Sequence, residues 1–242
     1  LNVSFNQKKA FDKISNKSNE YIKKSFNIAL KILNQKITNK FINGPISKKF
    51  FLKKKYLGIT EYLAHQTKTK NYAMLIYNKD LSVCPLTTHL PLKKVSKKIN
   101  KNIIKKKIKL IDTFYKKNLG YKPKMAITGL NPHCESVDSF DEDKKIIKPT
   151  INSLNKLNYK ISGPLPADTI FLRNNRKKYN VIIGMYHDQV LTPIKTLFNF
   201  NAINITLGLP FIRVSPDHGT NNKMIGLKKS DSSSFIAAID FF

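Results

Sequence analysis

The chain has 242 residues with 44 lysines and arginines against 15 acidic groups, a net charge of +29 beside a hydrophobic content of 41% that is ample for a core. Only Arg173, Arg176 and Arg213 are arginine, and the lysines spread along the whole chain beside Asn, Ile and Phe, as A/T-rich codons dictate. This speaks against specific nucleic-acid readout and leaves only weak, salt-sensitive polyanion binding. No apolar run approaches the roughly 20 residues of a membrane span and no secretory signal is seen, so a cytoplasmic address without a membrane partner is expected.

Over residues 19–36, Ile22, Phe26, Ala29, Leu30, Leu33 and Ile37 recur at helical spacing, with lysines on the other face. Phe41-Ile42-Asn43 reads as a short strand entering the turn Gly44-Pro45-Ile46-Ser47-Lys48, and Thr60 is placed to cap the next helix. Residues 72–77 and 81–86 read as strands joined by a hairpin at Asn78-Lys79-Asp80, so a mixed sheet is expected. Val95, Ile99, Ile103, Ile104, Ile108, Ile111 and Tyr115 outline one long helix that Gly120 ends. Met125-Ala126-Ile127 is the next strand, and residues 141–157 form a helix with an acidic first turn. A short strand at 159–161 runs into the turn Gly163-Pro164-Leu165-Pro166-Ala167-Asp168-Thr169. Strands at 181–183 and 203–205 and a capped helix at 230–242 follow. The alternation predicts an α/β fold.

The two cysteines, Cys84 and Cys134, suggest neither a disulfide framework nor a zinc knuckle and read as reduced thiols. The chemistry gathers at strand ends, where ligands bind in open α/β sheets. His89, His133 and His187 each lie just past a predicted strand, beside proline or an acidic residue. If those strands are neighbours, three imidazoles converge, a common divalent-metal set that leaves positions open for substrate and water. Three unrelated loop histidines are the alternative on spacing alone.

Five segments narrow the choice: Thr87-Thr88-His89-Leu90-Pro91-Leu92; Gly129-Leu130-Asn131-Pro132-His133; Gly163 to Thr169; Met185-Tyr186-His187-Asp188-Gln189; and Asn204 to Arg213, followed by Asp217-His218-Gly219-Thr220. In this order they resemble the signature segments of the 4-hydroxythreonine-4-phosphate dehydrogenase family of vitamin B6 biosynthesis. The resemblance implies a two-domain α/β/α fold with a mixed sheet, like that of the isocitrate and isopropylmalate dehydrogenases. It implies domains of residues 1–66 plus 203–242 and of residues 67–202, with the site in the cleft between them at a homodimer interface. It further implies that His89, His133 and His187, drawn from both subunits, hold a divalent metal (Zn, Mg or Co). Thr60, Lys195, Asn204 and Arg213 would contact a small phosphorylated substrate, and NAD, with NADP as the alternative, would take the hydride. Lys195 and Asp188 are the candidate catalytic groups, and Asp188 and Asp168 the candidates for orienting histidines or substrate. His218 is expected to have a structural or neighbouring role. Relative to the family, an N-terminal stretch with a Gly-Asp-Pro-Ala-Gly motif and a short C-terminal tail are expected to lie outside these residues.

Two departures bear on the substrate. The residue before Thr60 is a substrate-contacting histidine in that family and is Ile59 here, a loss of about 1.5–3 kcal/mol if the partner is charged. The family's glycine-rich loop after Asn-Pro-His is replaced by Cys134-Glu135-Ser136-Val137-Asp138. A related phosphorylated hydroxy acid, threonate or erythronate phosphate, is therefore the alternative substrate. A basic polyanion-binding protein is the third reading.

Overall fold

Alternating apolar residues pair into one eight-stranded sheet in the computed structural model, which describes residues 1–7, 9, 15–53 and 55–242. The strands are β1 (Lys40–Ile42), β2 (Ala73–Tyr77), β3 (Ser82–Thr87), β4 (Met125–Thr128), β5 (Ile161–Leu165), β6 (Val181–Tyr186), β7 (Ile203–Leu207) and β8 (Ile212–Pro216). Their order is β1-β8-β7-β2-β3-β6-β4-β5. β3, β6, β4 and β5 are mutually parallel, while β2 runs antiparallel to both β3 and β7. The sheet is mixed, as the hairpin requires. β7 pairs with β2 from Ala73↔Leu207 to Tyr77↔Ile203, so the sheet is continuous across the division expected at residues 66–67 and 202–203.

Successive side chains on a strand face opposite ways, and here both faces are covered. Ala73 and Leu75 of β2, Cys84 and Leu86 of β3, and Val181, Ile183 and Met185 of β6 join one buried cluster. Met74, Ile76, Val83 and Ile182, the alternate positions, join another. The first face receives Ile104, Ile108 and Ile111 from the helix Lys101–Phe114 and Ile151 and Leu154 from the helix Lys148–Lys156. The second receives Val190, Leu191 and Ile194 from the helix His187–Phe198. The result is a three-layer α/β/α arrangement. A third cluster packs Phe26 of the helix Asn19–Asn34 against Ile59, Tyr62 and Leu63 of the helix Ile59–Gln66.

Four local expectations change. The helix expected from Val95 to Tyr115 is two, Val95–Lys98 and Lys101–Phe114. Asn100 adopts extended backbone and its side chain accepts from the amides of Asn102 and Ile103 at 3.0 Å, so a new helix starts there in spite of the continuous apolar stripe. Thr60 does not cap its helix, which begins at Ile59 after Gly58. Gly163-Pro164 lies inside β5 rather than in a turn after it. Gly163 has φ +142 and a Cβ there would meet the Ile127 carbonyl at 2.5 Å, so a side chain would push β5 off β4. His187 is not in a loop but opens the helix His187–Phe198 directly after β6.

Candidate active site

β3, β6 and β4 are adjacent and parallel, so the segments carrying His89, His187 and His133 leave the same end of the sheet. The structure brings the first two together. His89 and His187 stand with ring centroids 5.8 Å apart and line one cleft of about 290 Å³ with Thr60, Lys195, Asn204 and Arg213. His133 is exposed and is not among the lining residues. The reason is local: the fully buried Asp143 carboxylate accepts from the amides of Leu130 and Asn131 and from the Asn131 side chain. That capture draws the loop toward the start of the following helix, and His133 takes left-handed backbone at φ 54. Gln189 fastens the two strand ends, accepting from the Met185 amide and the Thr128 hydroxyl and donating to the Gly129 carbonyl.

Each cleft residue has its own environment. His187 Nδ1 donates to Asp188 Oδ1 at 2.6 Å, which leaves its Nε2 as the free ring nitrogen, although Asp188 is 80% exposed and outside the cleft lining. His89 Nδ1 lies 3.5 Å from Glu61 Oε1, an ion-pair separation without hydrogen-bond geometry, and that nitrogen is buried with no partner. Burial pushes the Glu61 carboxyl up, but His89, its own backbone amide and Lys48 outweigh this and hold it below the ordinary value. Asp168 is exposed and makes no hydrogen bond or ion pair among the described residues.

On the other wall, Arg213 is 3% exposed and donates through Nε to Asn43 Oδ1 at 2.7 Å and through one terminal nitrogen to Thr206 Oγ1 at 3.1 Å. No carboxylate among the described residues pairs with it. Burial pushes its pKa down to about 10, with the charge of Glu61 acting the other way. Two of the five guanidinium N–H groups are used, so three remain for an anion. Thr60 Oγ1 contacts Thr206 Oγ1 at 3.3 Å, and Asn204 Oδ1 is a buried acceptor without a donor. Lys195 Nζ donates to Asp217 Oδ2 at 2.7 Å and to the Asp217 carbonyl at 2.9 Å, and His218 lies on the same cleft wall.

The sequence gives no role to Glu61 or Asn43, and it marks Asp217 only as part of the segment Asp217-His218-Gly219-Thr220. Asn43 had a signal, since it directly follows a strand; the roles of the others become visible only through contacts distant in sequence. A larger cavity of about 530 Å³ adjoins through Asn43–Ile46, but its aromatic walls carry no charged side chain, so the chemistry belongs to the smaller cleft.

Two imidazoles, one with its outer nitrogen already held, suit a borderline divalent cation. Among the described residues no three His, Cys, Asp or Glu side chains of the one chain gather to hold a metal, so another donor is needed. The buried cation and orphaned acceptor suit a small anionic substrate.

The mixed eight-stranded sheet with helices on both faces is a fold that recurs among dehydrogenases. A β-decarboxylating dehydrogenase from Thermococcus kodakarensis shares it at TM-score 0.53, with 9% identity over 84% of this chain and 65% of that one. The chain belongs to the family "Pyridoxal phosphate biosynthetic protein PdxA", which matches residues 1–242. It is 42% identical over 216 residues to the 4-hydroxythreonine-4-phosphate dehydrogenase of Sulfurihydrogenibium sp., covering 88% of this chain and 66% of the relative. The enzyme of that name from Klebsiella pneumoniae has a crystal structure matching at TM-score 0.79 and 31% identity, over 95% of this chain and 71% of that one. A D-threonate 4-phosphate dehydrogenase of Salmonella typhimurium is 38% identical, over 76% of this chain and 57% of its own. The chain thus spans about two thirds or less of the length of these curated relatives.

Proposed function

We propose that the protein oxidises 4-phosphohydroxy-L-threonine, with NAD as hydride acceptor and a divalent metal, to a β-keto acid that loses carbon dioxide to give 3-amino-2-oxopropyl phosphate. The observation that carries this reading is Arg213, a buried guanidinium with no carboxylate partner among the described residues, on the cleft that also holds His89 and His187. A buried cation of that kind is costly until an anion completes it.

Arg213 and Lys195 meet the two anionic groups of the substrate, Asn204 Oδ1 accepts from its amino or hydroxyl group, and Thr60 donates a further hydrogen bond. His89 and His187 would hold the metal, with His133 supplied by a second copy of the chain in a homodimer. When bound, a divalent ion there lowers the pKa of the reacting hydroxyl and balances the charge that grows as carbon dioxide departs. Asp188 keeps the proton on His187 Nδ1 and so presents Nε2. The site lies between a unit of residues 1–66 with 203–242 and a unit of residues 67–202, in a cytoplasmic protein. Among the described residues no helix is long and apolar enough to cross a membrane.

A second reading keeps the chemistry and changes the substrate to D-threonate 4-phosphate. Ile59 favours it: the side chain borders the cleft yet is 8% exposed and packs with Tyr62 and Phe26, so no polar group is offered there. Comparing kcat/KM for the two phosphates under saturating NAD decides between them. A preference for 4-phosphohydroxy-L-threonine supports the first reading, and a preference for threonate phosphate the second.

A further inference from the structure

Among the described cleft residues, Lys195 is the one lysine or arginine paired with a carboxylate. Its ammonium gives two hydrogen bonds to Asp217, one to Oδ2 at 2.7 Å and one to the main-chain oxygen at 2.9 Å, and it lies 5.2 Å from the centre of the Phe200 ring. The Asp217 side chain is 10% exposed and that of Lys195 is 37% exposed, so the pair sits with its carboxylate inside and its ammonium toward the cleft. An ammonium has three donors. Two are taken by Asp217, and one remains.

Asp217 is itself fixed from behind. Its amide donates to Ser234 Oγ at 2.8 Å, and the Ser234 hydroxyl donates to the Ala202 carbonyl at 2.6 Å. Ser234 is fully buried at the start of the helix Ser233–Asp240, and Ala202 immediately precedes β7. The end of β8, the start of β7 and the last helix are thereby joined at one hydroxyl, directly behind the lysine. Pro216, just before Asp217, fixes its own φ at the end of β8. Burial raises the Asp217 carboxyl above its ordinary value, while Lys195, His187 and His218 pull the other way. Its ionised form therefore depends chiefly on the Lys195 ammonium.

We propose that Asp217 is a positioning residue for substrate capture: anchored by Ser234, it clamps the Lys195 ammonium and turns the remaining N–H toward the anionic substrate. A lysine stem has four rotatable carbons and loses considerable freedom on binding. A clamp that removes this freedom in advance favours binding, provided the carboxylate does not repel the incoming anion more than it orders the lysine. These two effects have opposite signs, so the direction of the change on removing the charge decides the matter. The inference rests on the proposed function only in naming Lys195 as a substrate contact.

The test measures affinity for inorganic phosphate by titration calorimetry, and KM and kcat for the phosphorylated substrate, in Asp217→Asn, Asp217→Glu, Lys195→Met and the double variant Asp217→Asn/Lys195→Met. Asp217→Asn is expected to weaken phosphate binding and raise KM about tenfold while kcat stays within about threefold, the range for loss of a charge-assisted hydrogen bond. Asp217→Glu should recover most of the loss, and the double variant should bind no worse than Lys195→Met. Unchanged or tighter phosphate binding in Asp217→Asn overturns the proposal, as does additivity in the double variant. If Asp217→Asn does not fold, Ser234→Ala frees the anchor while keeping both charges and is read in the same way, with a smaller loss of about threefold expected and no loss overturning the proposal. Absence of turnover in the unaltered protein would count against the proposed function, whereas the phosphate titration still decides the role of Asp217.

Discussion

Gly58 makes room for Glu61: a Cβ at Gly58 would lie 2.7 Å from Glu61 Oε2 and 3.3 Å from His89 Cε1. The backbone at Gly58 is extended, with φ −160, so the need is for space and not for an unusual conformation. Glycine here lets a carboxylate stand behind an imidazole of the cleft.

The first prediction follows. Alanine at Gly58 displaces the end of a flexible side chain rather than backbone, so folding is little affected, with Tm lowered by no more than about 3 °C. The His89 ring loses its neighbour's placement, and divalent-metal affinity should fall about tenfold. Differential scanning calorimetry and metal titration on Gly58→Ala check both halves.

Arg213 yields the second. Its pKa is pushed down to about 10 by burial, below that of an arginine in the unfolded chain. The folded state thus binds its proton less tightly, and burying the charge costs on the order of 3 kcal/mol below pH 10, a cost that fades as pH rises toward the unfolded value. An anion in the cleft offsets that cost, so inorganic phosphate should raise the Tm of the unaltered protein. Arg213→Met should leave the ligand-free Tm within about 3 °C, loss of the bonds to Asn43 and Thr206 opposing relief of the buried charge. It should abolish the phosphate-induced rise in a thermal-shift titration.

Glu61 gives a pH signature. Burial raises its pKa, yet His89, its backbone amide and Lys48 bring it below the ordinary 4.5, so the folded state binds fewer protons than the unfolded one. Its stabilising contribution is complete above 4.5 and is lost as pH falls through the lower folded value. Between about pH 6 and pH 3 the Tm of the metal-free protein should fall less steeply in Glu61→Gln than in the unaltered chain. Equal slopes would show that the carboxylate contributes nothing through ionisation.

Much of the fold is legible locally. The apolar period of residues 19–36 and the hairpin at Asn78 are short-range signals, and both elements stand where those signals place them. The split at Asn100 was hidden because the isoleucine stripe runs through it, and a side-chain cap overrides a stripe. β5 was misplaced because Gly163-Pro164 reads as a turn, while the close approach to Ile127 is a tertiary fact. In the site, six of the nine residues given a chemical role line the cleft, because strand ends and recognisable segments mark them. Glu61, Asn43 and Asp217 act through partners 28, 170 and 22 positions away or through the backbone of another element, which spacing along the chain cannot reveal. His133 lies outside the cleft of the one chain, on the loop whose amides Asp143 holds, as a set drawn from two copies allows.

The most direct test of the central claim is NADH formation on 4-phosphohydroxy-L-threonine, followed before chelation, after chelation and after divalent metal is restored. The cleft chemistry proposed for His89, His187 and Arg213 predicts turnover that chelator abolishes and added metal recovers, and turnover that phosphate inhibits competitively. Turnover that persists unchanged in chelator contradicts the role given to the histidines.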